Sequence, residues 1–250
     1  MAKQNFTFMS RNPPPEPVAS VGDLEFRDDG SLAVVDDGTD MSEAEDVDQF
    51  SEELGPVEIR DIPTFPAALY YEFGGTRLRE FAVDSITLPG NWAEFGVSYG
   101  LSGYYWMMNL PDDAQLFLFD SWEGLPEQWV MERENKTTGY IPKGAFRGQP
   151  PVFHDERVHT VKGWFEDTLP KEDMGELAFV HMDCDLYSST KLVLERCDAQ
   201  IVPGTIILFD ELWGYQCWRE GEYQALMEWQ REWKYLARDN KHRVVVEVLK

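Results

Sequence analysis

The sequence is poor in cysteine, in basic residues and in long apolar runs. Cysteine occurs only as Cys184, Cys197 and Cys217, with no Cys-x-x-Cys and no Cys/His cluster. This excludes a disulfide framework and a structural zinc site, and leaves reduced, mostly buried thiols. No apolar run reaches the roughly eighteen residues of a membrane span. The N-terminal stretch MAKQNFTFMSRNPPPEP offers no apolar core for a secretory signal, so a cytoplasmic protein is expected. Lys and Arg number 22 against 46 Asp and Glu, a formal net charge of −24. Such a surface repels a phosphate backbone and argues against nucleic-acid binding.

What is present suffices for one large core, with 43% hydrophobic and 14% aromatic residues in 250. The first sixty residues differ from the rest. Met1–Arg60 holds fifteen acidic and four basic residues together with Pro13, Pro14, Pro15 and Pro17. That composition predicts a flexible or loosely docked acidic arm, interrupted by a hairpin pairing Leu24–Phe26 with Leu32–Val35 around Asp29-Gly30. Pocket occupation, partner recruitment and homo-oligomerisation are all open roles for it. Residues 61–250 form the main domain. Phe65, Tyr70, Tyr71 and Phe73 either cover its entrance or pack in its core.

From Asn91 onward, short apolar runs alternate with helical stretches, the pattern of an α/β fold with a mostly parallel, doubly wound sheet and helices on both faces. Strands are expected at Trp92–Val97, Gln115–Phe119, Val158–Val161, Leu177–Met182 and Thr205–Phe209. Helices are expected at Leu101–Met108, Thr190–Cys197 and Glu220–Glu232, with Lys234–Leu236 and Arg243–Leu249 β-rich. Three strands end in a carboxylate: Asp120, Asp183 and Asp210. Ligands of such sheets bind beyond the carboxyl ends of the strands, so the three should converge on one crevice.

The segment Glu94-Phe95-Gly96-Val97-Ser98-Tyr99-Gly100-Leu101-Ser102-Gly103 reads as strand, glycine turn and helix start. Gly96 and Gly100 allow close backbone approach, and Ser102 either caps the helix or bonds a ligand. The spacing departs from G-x-G-x-x-G, and Glu94 suits an ammonium better than a pyrophosphate. Asp120 stands where an acid accepts bonds from ribose hydroxyls. Together these favour S-adenosylmethionine over NAD. Clustered carboxylates at Asp183, Asp210 and Glu211 repel one another unless a cation joins them. Oxygen donors select Mg²⁺, with Mn²⁺ able to substitute.

Five ordered motifs, Glu94–Val97, Phe119–Pro126, Lys162–Pro170, Asp183–Thr190 and Pro203-Gly204 with Phe209-Asp210-Glu211, resemble those of the macrocin O-methyltransferase family. The family methylates sugar hydroxyls on macrolide antibiotics, and the resemblance covers about 78–250. It implies a Rossmann-like class I methyltransferase fold and a metal-dependent O-methyltransferase using S-adenosylmethionine on a hydroxyl of a sugar or glycosylated metabolite. It also implies that Glu94 and Gly96 contact the methionine end of the cofactor, Asp120 its ribose, and Gly163-Trp164 its adenine, with Asp183, Asp210 and Glu211 on the metal. Metal-dependent catechol methyltransferases carry a lysine three residues past the first ligand, where this chain has Leu186. Proton removal therefore falls to Asp183, with a histidine among His154, His159 and His181 as the second choice. Asp185 reads as a helix cap.

The connection 121–156 between the second and third strands is long for a simple loop and carries Trp122, Trp129, Tyr140, Phe146 and Phe153. It reads either as a lid over the acceptor or as a helical excursion packed on the sheet. Trp213, Tyr215 and Trp218 would form the facing wall. The competing functions are a noncatalytic S-adenosylmethionine-binding or assembly protein and, further off, an NAD-dependent oxidoreductase.

Overall fold

A computed structural model describes residues 23–26, 32–35, 59, 62–65, 76–134 and 137–250. Contacts divide the chain into two units, 1–49 and 50–250. In the first, strands β1 (Asp23–Phe26) and β2 (Leu32–Val35) form the expected antiparallel hairpin, Phe26 opposite Leu32. Its turn, the flexibility expected of the acidic arm, and Tyr70, Tyr71 and Phe73 lie outside the described residues.

The second unit is built on an eight-stranded sheet in the order β3-β11-β12-β10-β9-β4-β5-β8. Strands β4 (Asn91–Phe95), β5 (Leu116–Asp120), β8 (Val158–Lys162), β9 (Leu177–Met182) and β10 (Ile201–Phe209) run parallel. β12 (Val244–Val248) joins β10 antiparallel, and β11 (Trp233–Asp239) joins β12 antiparallel. The short β3 (Thr64–Phe65) pairs parallel with β11 at the edge. The parallel part of the sheet starts at β4, winds outward to β5 and β8, then crosses back to β9 and β10. The point of reversal, beyond the carboxyl ends of β4 and β9, is where such sheets bind ligands.

Side-chain alternation along the strands divides the core into two layers. Phe95, Phe119, Val180, Met182 and Phe209 pack on one face with Val193 and Leu194 of α4 (Tyr187–Arg196) and Ala225 and Leu226 of α5 (Glu222–Glu228). Trp92, Leu118, Phe179 and Leu208 pack on the other with Leu78 and Ala82 of α1 (Arg77–Asp84) and Tyr105 and Trp106 of α2 (Leu101–Asn109). The short α3 (Phe165–Thr168) follows β8.

Several expectations need correction. The helix expected over Glu220–Glu232 is only the short α5 behind a 3-10 turn at Trp218–Glu220, because Trp229 turns extended at its C-cap. The fifth strand starts four residues earlier than expected, at Ile201, since its first part pairs irregularly across Gly204. Among its described residues the insertion 121–156 holds no helix; it carries an antiparallel hairpin of β6 (Trp129–Glu134) and β7 (Thr137–Ile141). Helix α1 was not expected, although Thr76 caps it by accepting from the Arg79 amide at 3.1 Å.

Candidate active site

The parallel strands deliver their ends into one cavity of about 510 Å³. After β4 the chain turns at Gly96, whose φ of 91° suits glycine, and whose hypothetical Cβ would lie 1.8 Å from the Asp183 carbonyl oxygen. Asp120, ending β5, holds this turn in shape. Its Oδ2 accepts from the amides of Val97 at 2.9 Å and Ser98 at 2.8 Å, and its Oδ1 from that of Trp122 at 2.7 Å. The Trp122 indole donates to the Ser98 carbonyl at 2.8 Å, completing the link between the two strand ends. Gly96, Asp120, Gly163 and Trp164, all singled out in the sequence, line the cavity.

Glu94 and Ser102 do not line it. Ser102 donates to the Glu94 carboxylate, and the N-cap of α2 is Gly100, with no side-chain bond. Glu94 is fully buried and also meets His181 Nδ1 at 2.9 Å. His181 reaches Asp210 Oδ1 with Nε2 at 3.4 Å. Burial opposes charge on this ring, but hydrogen bonds to Asp210 and Glu94 outweigh it and raise the pKa to about 9. His181 is thus a buried link between two acids. His154 is exposed, and His159 stacks on Phe117 at 4.9 Å.

Of the three expected metal ligands, two share a wall of the cavity and one does not. Asp183, Asp185 and Glu211 bring one carboxylate oxygen each within 4.8 Å of one another. Asp210 lies behind them, its Oδ1 2.5 Å from Arg243 Nε and its Oδ2 3.0 Å from Arg243 Nη2, with Arg79 Nη2 at 3.7 Å. Asp185 takes the third place, against the expectation of a helix cap. It sits at φ 63°, a left-handed conformation, and the N-cap of α4 is Leu186.

The electrostatics separate the two roles. Burial pushes Asp210 up, but Arg243 outweighs this and holds it well below the usual carboxylate range. Burial and then the neighbouring Asp210 charge push Asp183 up to about 7. Burial followed by carboxylate repulsion also raises Asp185 and Glu211 well above normal. Glu211 Oε2 is buried without a hydrogen bond. Glu222, from α5, supports this wall by accepting the amides of Glu211 at 3.1 Å and Cys184 at 3.4 Å. Sequence reasoning missed Glu222, Arg243 and Arg79, and no local motif marks them.

The insertion closes the outer side. Leu125 and Trp129 form a small apolar cluster with Leu186, against which Tyr215 packs. Glu127 accepts from Ser188 Oγ of α4 at 2.5 Å, and both line the cavity. Phe146 lines it too, whereas Tyr140 is exposed and Phe153 packs on Tyr104 at 4.5 Å. The expected facing wall is displaced. Trp213 stacks under Arg238 at 4.2 Å and Trp218 meets Tyr223 edge-on at 4.5 Å, neither on the cavity.

A doubly wound parallel sheet closed by an antiparallel strand, with a glycine turn and an acid on its first two strands, is the class I methyltransferase fold. The calicheamicin methyltransferase crystal structure shares it, with a TM-score of 0.52 at 20% identity over 68% of this chain and 77% of that one. The chain belongs to the macrocin O-methyltransferase (TylF) family, which residues 60–234 match. It is 31% identical over 139 residues to the 8-demethyl-8-(2,3-dimethoxy-alpha-L-rhamnosyl)-tetracenomycin-C 4'-O-methyltransferase of Streptomyces olivaceus, covering 50% of this chain and 53% of that protein. It is 28% identical over 112 residues to the demethyldecarbamoylnovobiocin O-methyltransferase of Streptomyces niveus, covering 40% and 42%. The chain spans about half the length of the curated relatives it matches. Among the described residues, no helix is long and apolar enough to cross a membrane.

Proposed function

We propose that this protein transfers a methyl group from S-adenosylmethionine to a hydroxyl of a sugar or glycosylated small molecule, with a divalent cation at the acceptor side. The observation that carries this reading is the shared cavity. One side has the Gly96 turn and Asp120; the other has Asp183, Asp185 and Glu211 from the adjacent strands β9 and β10. Both curated relatives are O-methyltransferases, the same reaction type.

In this reading the backbone of the Gly96 turn receives the methionine end, Asp120 the ribose, and Gly163-Trp164 the adenine. Glu94 and Ser102 act from behind the turn and do not contact the cofactor. The carboxylate trio fits a hard cation: its donors are oxygens, one Glu211 oxygen lacks a partner, and the raised pKa values record repulsion that a cation relieves. Mg²⁺ suits these donors, and Mn²⁺ could replace it. When bound, the cation supplies charge stabilisation for the hydroxyl being deprotonated and a template for a neighbouring oxygen. Asp183, on a carboxylate oxygen, accepts the hydroxyl proton. Asp210 is assigned to Arg243 and not to the cation. Leu125, Trp129 and Phe146 exclude water and orient the acceptor against the cofactor.

Residues 61–250 are assigned as the catalytic domain with 121–156 as its lid, and 1–60 as an arm. Three free, buried cysteines suit a reducing, cytoplasmic setting. The test is transfer of labelled methyl from S-adenosylmethionine to a panel of neutral glycosides, with Mg²⁺ and after chelation. Transfer to none of them, under conditions where the cofactor binds, would overturn the reading.

A further inference from the structure

The pairing of β9 with β10 stops where the carboxylate trio begins. The Asp210 amide still donates to the Met182 carbonyl at 2.9 Å, but the Asp183 amide turns away to the Phe95 carbonyl of β4, also at 2.9 Å. Past that point the two strand ends meet through one side chain. Glu222 accepts the Cys184 amide on Oε1 at 3.4 Å and the Glu211 amide on Oε2 at 3.1 Å. The Thr190 hydroxyl, in the first turn of α4, lies 3.5 Å from Oε1.

An acid is an expensive choice at this position. Glu222 is fully buried, and the charges that act on it most strongly are those of Asp183 and Asp210, of its own sign. Desolvation and repulsion therefore both oppose it. Glutamine would fill the same volume without either cost. What glutamine cannot supply is a second acceptor oxygen, because its NH₂ group would oppose one of the two amides. The two amides are also the ones that matter for the trio. Cys184 stands between Asp183 and Asp185, so holding its amide fixes the backbone that carries both carboxylates, and the Glu211 amide fixes the third.

We propose that Glu222 is a positioning residue for the cation, a single carboxylate that ties the ends of β9 and β10 so that Asp183, Asp185 and Glu211 present their oxygens to one point. Glu222 does not line the cavity itself and acts only through the backbone it holds. The proposal rests on the cation reading above. Partners that orient the ligands of a metal contribute about 10–100-fold to its affinity, which sets the size of the effect.

The experiment measures Mn²⁺ binding to the full chain, from the loss of the free-ion electron paramagnetic resonance signal, in wild type, Glu222→Gln and Glu222→Asp. Affinity for S-adenosylmethionine is measured on the same samples by calorimetry. Glu222→Gln keeps the size and loses the charge; Glu222→Asp keeps the charge and is one methylene too short to span both amides. Both should weaken Mn²⁺ about tenfold, with S-adenosylmethionine affinity within about twofold of wild type. Wild-type Mn²⁺ affinity in Glu222→Asp would reduce the residue to a charge and overturn the proposal, and wild-type affinity in Glu222→Gln would overturn it as well. Equal losses of cation and cofactor affinity, the mark of a general loosening, would also overturn it. A wild type that binds no Mn²⁺ overturns the cation reading instead, and amide hydrogen exchange then decides the role of Glu222. Exchange at both Cys184 and Glu211 faster by about tenfold in Glu222→Asp, with the Asp210 amide protected as before, supports the tie. Unchanged exchange at either amide, or equal loss of protection at Asp210, overturns it.

Discussion

Arg243 grips Asp210 through both carboxylate oxygens, at 2.5 and 3.0 Å, from the turn that precedes the last strand. Asp210 is buried and the Arg243 side chain is 23% exposed, so removing one partner leaves a charge out of water without its counter-ion. Arg243→Met should destabilise the fold by about 3 kcal/mol, measured as a urea midpoint. Asp210→Asn should also lose stability while leaving Mg²⁺ affinity within a few-fold of wild type. A collapse of metal binding in Asp210→Asn with unchanged stability would return that residue to the cation.

Asp183→Asn and Glu211→Gln should behave in the opposite way. Each removes a charge from a repelling trio, so stability should hold or rise. Metal affinity should fall in both. Methyl transfer by Asp183→Asn should drop by about 10²–10⁴, the range typical of positioned proton transfer. Chelation should abolish wild-type transfer, and added Mg²⁺ should restore it. Full transfer after chelation would remove the cation from the mechanism.

Asp120→Ala removes more than a ribose contact. Three backbone amides, of Val97, Ser98 and Trp122, lose their acceptor. Unpaired amides in a partly buried turn cost about 1–3 kcal/mol each before relaxation and hydration reduce the sum. Thermal unfolding should therefore shift along with S-adenosylmethionine affinity. Asp120→Asn should be milder, since its amide oxygen can still serve Val97 and Ser98 while its NH₂ group opposes the Trp122 amide. A pure affinity loss at unchanged Tm in Asp120→Ala would show that the turn holds itself.

Gly96→Ala tests the contact between the two halves of the site. The new Cβ would fall 1.8 Å from the Asp183 carbonyl oxygen, and φ 91° is strained for any L side chain. A loss above about 3 kcal/mol is expected. Whatever folds should turn over slowly even at saturating cofactor, because Asp183 must move.

The thiols supply a control on burial. Cys184, Cys197 and Cys217 are all free and buried, and desolvation pushes the Cys197 thiol up to about 12. A thiol reagent at pH 8 should label none of them in the native protein and all three in denaturant. Rapid labelling of Cys184 under native conditions would indicate that the wall beneath Asp183 opens.

The parts of the site legible in the sequence are those that local pattern dictates. Leu177–Met182 is a β-strand with the expected bounds because a run that is apolar but for His181, between polar turns, admits little else. Gly96, Asp120 and Asp183 follow directly from strand ends. The partner of a charged group is a different matter. Arg243 stands thirty-three positions after Asp210, and only the antiparallel return of β12 beside β10 brings them together. The resemblance puts Asp210 on the metal with Asp183 and Glu211; here its carboxylate meets Arg243 while Glu211 lines the cavity, since successive residues at a strand end point to opposite sides. From the sequence Asp185 reads as a helix cap, because it stands just before a polar helix start. Its left-handed φ sends the chain another way. The residues 220–232 are helical in composition throughout, yet α5 ends at Glu228 since the core takes Trp229 and its indole bonds Asp198 at 2.9 Å.

The late position of Arg243 has a bearing on biogenesis. A chain leaving the ribosome presents the ends of β4, β5, β9 and β10, with Asp210 among them, before the arginine that balances it. Until β12 pairs with β10, an acid destined for burial stands beside Asp183 and Glu211 without its main counter-charge. The sheet can form early from its parallel strands, but the edge that carries the carboxylates becomes electrostatically sound only when the β11–β12 hairpin docks. A nascent form lacking that hairpin would be the species to depend on a chaperone.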